Sequence, residues 1–303
     1  MEKSKIAGLI LGPIVFLTLN NLPFHMVSEQ GDPVISVAVW MLIWWITEAV
    51  SISVTALLPL LLFPLLKILP IAEVGANYGS PIVFLFFGGF VMALALEKVN
   101  LHKRIALNII KLTGTTPNKV ILGFMIATAS LSMWISNTAS TVVMLPIAIS
   151  VINLLINDED GFTKNDQNFA LSVMLGIAFS ANAGGIATVI GTPPNSVLIG
   201  LLENEYNTEI SFLKWMTLGL PFSIVMIGIS YVVLVKWMFP NRDLKFSASK
   251  EVIRVELQKL GPTSGKEKLV LAIFAVTVSL WVFRTLINSI FPNLGLTDTM
   301  ISI

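Results

Sequence analysis

The sequence predicts an all-α, polytopic helical membrane protein containing a re-entrant hairpin and a broken transmembrane helix. Three observations lead there. Only 12% of the 303 residues are charged and 55% are hydrophobic, whereas soluble domains carry about 25% charged residues. Several uncharged apolar stretches reach the ~20 residues that cross a bilayer. Two further runs are too long for one crossing and carry helix breakers within them. Segments of about ten residues with alternating polarity, the mark of a membrane β-barrel, do not occur.

Spans are expected near residues 6–20, 34–50, 54–69 and 82–100, giving a block of N-terminal scaffold helices over 1–100. The amino terminus has a short basic region, Lys3 and Lys5, without a small-residue cleavage site, which fits a retained first span. LHKRIALNIIKLTG places Leu101, Ile105, Ile109 and Leu112 on one face, with His102, Lys103, Arg104 and Lys111 off it. A helix lying at the membrane surface over 101–117 is expected, stopped by Gly114 and Pro117. A re-entrant hairpin over 118–156 follows, then a broken helix and its following span over 169–240. A cytoplasmic surface segment over 241–266 contains a second, less clean amphipathic stretch at 249–262, and 267–303 holds a further span and the start of another.

Orientation follows from the basic residues. With the amino terminus inside, sixteen of the nineteen Lys and Arg fall on inner segments; Lys67, Lys214 and Arg284 fall outside. The positive-inside rule selects that topology if the run at 119–156 returns to the side it entered. The expected location is the cell membrane, multi-pass, with a cytoplasmic amino terminus.

A straight helix over the 38 residues 119–156 would be about 57 Å long against a ~30 Å hydrocarbon core. At its centre stand Ser136, Asn137 and Thr138, good N-caps and weaker helix formers. Two half-length helices joined at that turn solve the problem, and a turn at that depth must be buried or face a water-filled cavity. The second arm begins near Thr138, with Pro146 bending it. The run 169–202 contains GGIATVIGTPPNS, where Pro193 and Pro194 remove two donors and disfavour helix before each. It reads as one span unwound near Gly191–Asn195. A lone polar cluster in a membrane helix serves packing as often as binding. Two adjacent broken runs point instead to a binding site at the bilayer midplane.

SNTAS in a hairpin followed by GTPPN in a broken helix resembles the divalent anion/sodium symporter family of dicarboxylate transporters. WWITEAVSISVTALLP (44–59) is similar to that family's early-span signature, with Ser51 where the family is expected to have proline. The resemblance runs from about residue 34 to the end of the chain. It implies one half of an inverted-repeat, elevator-type transporter that moves succinate-like C4 diacids with sodium as coupling ion and acts as a homodimer in its full-length form. It further implies that Ser136, Asn137 and Thr138 touch a substrate carboxylate. Ser132, Ser136 and Asn137 would hold sodium together with a glycine, for which Gly185 and Gly191 both stand as candidates. Thr192 and Asn195 adjoin them as secondary candidates. No second SNT occurs, and the chain stops at GLTDTMISI as a new apolar segment begins. The expectation is therefore the N-terminal part of a longer protein, unable by itself to transport or to bind dicarboxylate tightly.

The residues themselves limit the chemistry. No Asp, Glu, Lys, Arg or His lies between 120 and 156 or between 169 and 202. A carboxylate there would meet hydroxyls, an amide and helix N-termini, and a small cation would meet neutral oxygens that also let it leave. Glu48, the acidic residue well inside an expected span, is either functional or a tie between helix ends. His25 and His102 have no metal-ligand spacing, and cysteine is absent. No P-loop, no His-Glu-x-x-His motif, no paired aspartates and no Ser–His pair argue for ATPase or protease chemistry. The expectation is no enzyme, no cofactor and no nucleic acid. The partners are a small dicarboxylate, sodium and the lipid bilayer. Sodium-independent anion exchange, tricarboxylate or sulfate transport, and a non-transporting membrane receptor or scaffold remain as alternatives.

Overall fold

The computed structural model describes residues 3–21, 27–28, 31–114, 116–156, 163–240 and 249–303. His25 and residues 241–248 of the expected cytoplasmic segment lie outside the described residues. Regular structure among the described residues is helical throughout, as expected of an all-α polytopic membrane protein. Among the described residues, four segments are long and apolar enough to cross a membrane: Lys3–Asn20, Ile71–Lys98, Phe212–Met238 and Gly265–Ile290. The chain forms two compact units, Met1–Ser80 and Pro81–Ile303.

The first unit contains α1 (Lys3–Asn20), α2 (Gly31–Thr47), α3 (Ile52–Thr55), α4 (Leu58–Leu65) and α5 (Ile71–Tyr78). Two glycines let α1 lie against α2. A Cβ on Gly12 would sit 2.5 Å from Trp40 Cδ1, and one on Gly8 would overlap Thr47. Phe16 and Trp40 fill the remaining space with ring centroids 5.2 Å apart. Ser51 caps α3, its hydroxyl accepting from the Val54 amide. Its φ of −61° is the angle a proline ring would impose, so serine at this position preserves the backbone and adds a cap. Glu48 lies one residue beyond α2 with φ 48°. Its carboxylate is exposed and 3.3 Å from Lys5 Nζ. It ties helix ends together rather than entering a span.

The second unit runs through α6 (Pro81–Lys98), α7 (Leu101–Thr113), α8 (Pro117–Ser132), α9 (Asn137–Ile156) and α10 (Lys164–Gly185). It continues with α11 (Pro193–Tyr206), α12 (Phe212–Val232, prolonged by a π turn Val233–Met238), α13 (Ser249–Lys259), α14 (Gly265–Ile290) and α15 (Asp298–Ser302). Thr163 with Asp166 and Ser264 with Glu267 form capping boxes that start α10 and α14. The main core lies among α7, α8, α9 and α10, where Ile110, Phe124, Met125, Met144 and Phe169 are fully enclosed. A second cluster stacks Phe212 on Trp281 at 4.6 Å.

The amphipathic helix forms over Leu101–Thr113. Leu101, His102, Ala106, Leu107 and Ile110 are buried, while Leu112 is 85% exposed. The side packed on α8 decides which residues are covered, and it leaves Leu112 outward. Burial holds the His102 imidazole below its ordinary pKa, opposed by its hydrogen bond with the Leu96 carbonyl.

Arg104 fixes this helix to the corner between α13 and α14. Its Nε donates to Glu267 Oε1 at 2.8 Å, and Nη2 donates to the carbonyls of Leu260 and Gly261 at 3.2 and 3.0 Å. Arg104→Met removes these charge-assisted bonds and leaves a partly enclosed carboxylate, a loss of about 2 kcal/mol. A lowered thermal midpoint is expected, partly restored by Arg104→Met/Glu267→Gln. An unchanged midpoint in the single variant would show that the pair contributes nothing.

Candidate ion and anion site

The long run at 119–156 turns between α8 and α9, with residues 133–136 outside helix. Ser136 caps α9 through its hydroxyl, which accepts from the Ala139 amide at 3.2 Å. Ser140 and Thr141 hydroxyls donate back to the Asn137 carbonyl at 2.9 and 2.8 Å, so those two oxygens are occupied within the helix. Ser136 and Thr138 remain exposed and Asn137 is half-buried. The first amides of α9 have no partner one turn earlier in the helix, and they supply directed donors with a partial positive charge.

Behind this tip, three oxygens converge. Ser132 Oγ, buried at the end of α8, lies 2.7 Å from Asn137 Oδ1 and 2.7 Å from the Ala181 carbonyl oxygen of α10. A serine hydroxyl has one proton and both neighbours are acceptors, so one close oxygen pair is always without a proton between. Asn137 Nδ2 donates to Asn182 Oδ1 at 3.2 Å, which aims Oδ1 at Ser132. Gly185 completes the wall, since a Cβ there would stand 2.4 Å from Asn137 Oδ1.

The second break separates α10 from α11 over residues 186–192. Its loop is held from within. Thr188 Oγ1 donates to the Met133 carbonyl of the hairpin turn and accepts from the Gly191 amide. Asn195 Nδ2 reaches the carbonyls of Gly185 and Thr188 at 2.8 and 2.7 Å. A Cβ on Gly191 would lie 2.4 Å from the Gly185 oxygen. Pro193 and Pro194 have no N–H, and the Asn195 amide is bonded to Thr192 O at 3.1 Å. The α11 N-terminus therefore offers dipole without the free donors that the α9 N-terminus retains.

Among the sequence candidates, Ser132, Asn137 and Gly185 meet directly. Gly191 and Asn195 stand one layer behind, joined through the Gly185 carbonyl. Ser136 and Thr138 face outward at the tip, and half-buried Thr192 precedes α11 without a side-chain cap bond. Three participants were not among the candidates. The Ala181 carbonyl has no side-chain signal. Asn182 and Thr188 did have one, as uncharged polar residues in SANAGGIATV. Among the described residues no cluster of His, Cys, Asp or Glu could hold a metal ion. A hard, weakly held cation is the kind that neutral oxygens suit.

The burial pattern makes a labelling prediction. Ser136→Cys is expected to react rapidly with an aqueous thiol reagent, because the tip is open. Ser140→Cys, fully enclosed, is expected to react at least tenfold more slowly, as measured by mass shift over time. Equal protection of both would mean that the tip does not meet water.

The family described as "Citrate transporter" matches residues 42–301. The chain is 41% identical over 285 residues to the "Sodium-dependent dicarboxylate transporter SdcS" of Staphylococcus aureus (strain bovine RF122 / ET3-1), covering 92% of this chain and 54% of that one. It is 40% identical over 284 residues, with the same coverage, to the protein of that name from Staphylococcus saprophyticus. The chain thus spans about half the length of the curated relatives it matches.

Proposed function

The chain belongs to the citrate transporter family, and on that footing we propose that it forms part of a secondary transporter moving C4 dicarboxylates with sodium. The observation that carries this reading is the Ser132 hydroxyl set between two acceptors 2.7 Å away. A sodium ion there draws on Ser132 Oγ, Asn137 Oδ1 and the Ala181 carbonyl. Gly185 is the glycine of the site because it stands against Asn137 without a side chain, and Gly191 supports it from behind. A substrate carboxylate takes the exposed Ser136 and Thr138 hydroxyls, the Asn137 amide group and the first N–H groups of α9. Cation and anion bound side by side offset part of each other's desolvation. Thr192 and Asn195 shape the opposing edge.

The hairpin over 118–156 is re-entrant, and with the broken helix it belongs to one of two inverted repeats that move elevator-fashion within a homodimer. The amino terminus is cytoplasmic. The two helix breaks, the neutral oxygens at them and the distribution of Lys and Arg support this arrangement. The names of the Staphylococcus relatives support sodium and dicarboxylate as cargo. The family's description favours a second substrate reading, citrate.

Uptake of labelled succinate into proteoliposomes tests the proposal, using a polypeptide of the relatives' length that carries these residues. Sodium-driven succinate accumulation, competed weakly by citrate, is expected. Uptake indifferent to sodium would replace symport with exchange, and stronger competition by citrate would move the substrate to tricarboxylates.

A further inference from the structure

The last carbonyls of a helix have no amide one turn on to bond, and beyond α10 side chains supply donors. Asn195 Nδ2 holds the carbonyls of Gly185 and Thr188, and Ser196 Oγ donates to that of Val189 at 2.9 Å. Both residues belong to α11, the arm that leaves the break. The Ile186 carbonyl is held from a different helix. Half-buried Trp215, one turn into α12, donates its Nε1–H to that oxygen at 2.9 Å. Gly219, one turn further along α12, lets the loop come so near. A Cβ there would stand 2.6 Å from the Ile186 oxygen and 3.0 Å from the indole nitrogen. Other contacts hold α12 as well: Phe212 stacks on Trp281 at 4.6 Å, and its amide donates to Asp298 Oδ2 at 2.9 Å. Loss of the Trp215 donor would therefore free the loop without releasing the helix.

Ile186 directly follows Gly185, where a side chain would meet Asn137 Oδ1 at 2.4 Å. This stretch of main chain thus lies in contact with a proposed sodium ligand. A binding constellation has to be held within about 0.5 Å of its productive geometry. Asn195 on Gly185 and Trp215 on Ile186 fix two successive carbonyls from two helices, and with them the course of the chain past Asn137. A buried indole N–H commonly finds some acceptor. Here the acceptor is the residue next to Gly185, at the start of the break, and not a group of α12 itself. Resting on the sodium site read above, we propose that Trp215 is a positioning residue for it. Its indole N–H holds the Ile186 carbonyl and thereby keeps Gly185 against Asn137.

Trp215→Phe, in a polypeptide of the relatives' length, keeps an aromatic ring and removes the donor. In proteoliposomes, the sodium concentration that half-saturates succinate uptake should rise about fivefold, the worth of one neutral hydrogen bond. The succinate KM at saturating sodium should stay unchanged, because Ser136 and Thr138 lie on the hairpin. Tyr231→Phe removes another aromatic donor of α12, the hydroxyl bonded to the Asn118 carbonyl at 3.3 Å. That variant should keep the wild-type sodium dependence. If Trp215→Phe does not fold, benzothienylalanine at position 215, of the same shape but without the N–H, should give the same shift. An unchanged sodium dependence, an equal shift in Tyr231→Phe, or a change confined to the succinate KM would overturn the proposal and leave Trp215 a packing residue. Wild-type uptake indifferent to sodium would overturn the sodium site itself, and this role of Trp215 with it.

Discussion

Gly184→Ala is expected to destabilise the protein by about 3 kcal/mol. A Cβ at Gly184 would lie 2.4, 2.6 and 2.8 Å from the oxygen, Cα and carbonyl carbon of Ala129. All three are backbone atoms of α8, so no rotamer change relieves the contact and the two helices must separate. Ser132 and Ala181, whose 2.7 Å approach belongs to the proposed ion site, lie within one turn of that contact on the same two helices. The variant should therefore also lose any sodium-dependent rise in thermal midpoint. Gly228→Ala provides the contrast, because nothing stands within 4 Å of its Cβ position in α12. Alanine there should leave the midpoint unchanged or slightly higher. Thermal unfolding of both variants with sodium or with choline decides the point, and equal midpoints would remove the close α8–α10 approach from the argument.

Asn137→Ala is expected to shift the sodium response to roughly tenfold or more higher sodium with little loss of fold. Alanine keeps the main-chain carbonyl that accepts from Ser140 and Thr141, and with it the start of α9. It removes Oδ1 from beside Ser132 and Nδ2 from Asn182. Loss of a ligand to a charged group costs about 1.5–3 kcal/mol, so sodium affinity should fall roughly tenfold to hundredfold. In a polypeptide of the relatives' length, sodium-driven succinate uptake should fall by at least as much, because in the proposed site the same side chain serves cation and carboxylate. Measured sodium titration of the thermal midpoint separates this from misfolding. A variant that keeps the wild-type midpoint without sodium and responds at the same sodium concentrations as the wild type would refute the proposed role of Asn137.

Asn182→Ala separates orientation from ligation. The Asn182 side-chain carbonyl receives Asn137 Nδ2 at 3.2 Å and so orients Asn137, and its loss should weaken sodium binding less than loss of Asn137 does. The sequence made this residue available as a polar position in an apolar run. It did not say that its partner would be forty-five residues earlier.

The sequence by itself determined the class of the protein and the places where its helices stop. Apolar length against bilayer thickness forbids one helix over 119–156, and Ser136, Asn137 and Pro193–Pro194 supply the local chemistry of each break. Those are local effects, so they are visible in a local string: α9 starts at Asn137 and α11 at Pro193. The tertiary structure alone decided which atoms meet at the breaks. The Ala181 oxygen is a main-chain group like any other, and only the packing of α8 on α10 brings it to Ser132. The choice between Gly185 and Gly191 has the same origin, since one faces Asn137 and the other faces the carbonyl of the first. The side of the helix at 101–113 that the protein covers, with Ala106 and Ile110 enclosed and Leu112 exposed, was likewise set by its neighbours. Hydrophobic periodicity says that a face will be covered, but the neighbour that covers it sets its direction, and that neighbour is distant in sequence.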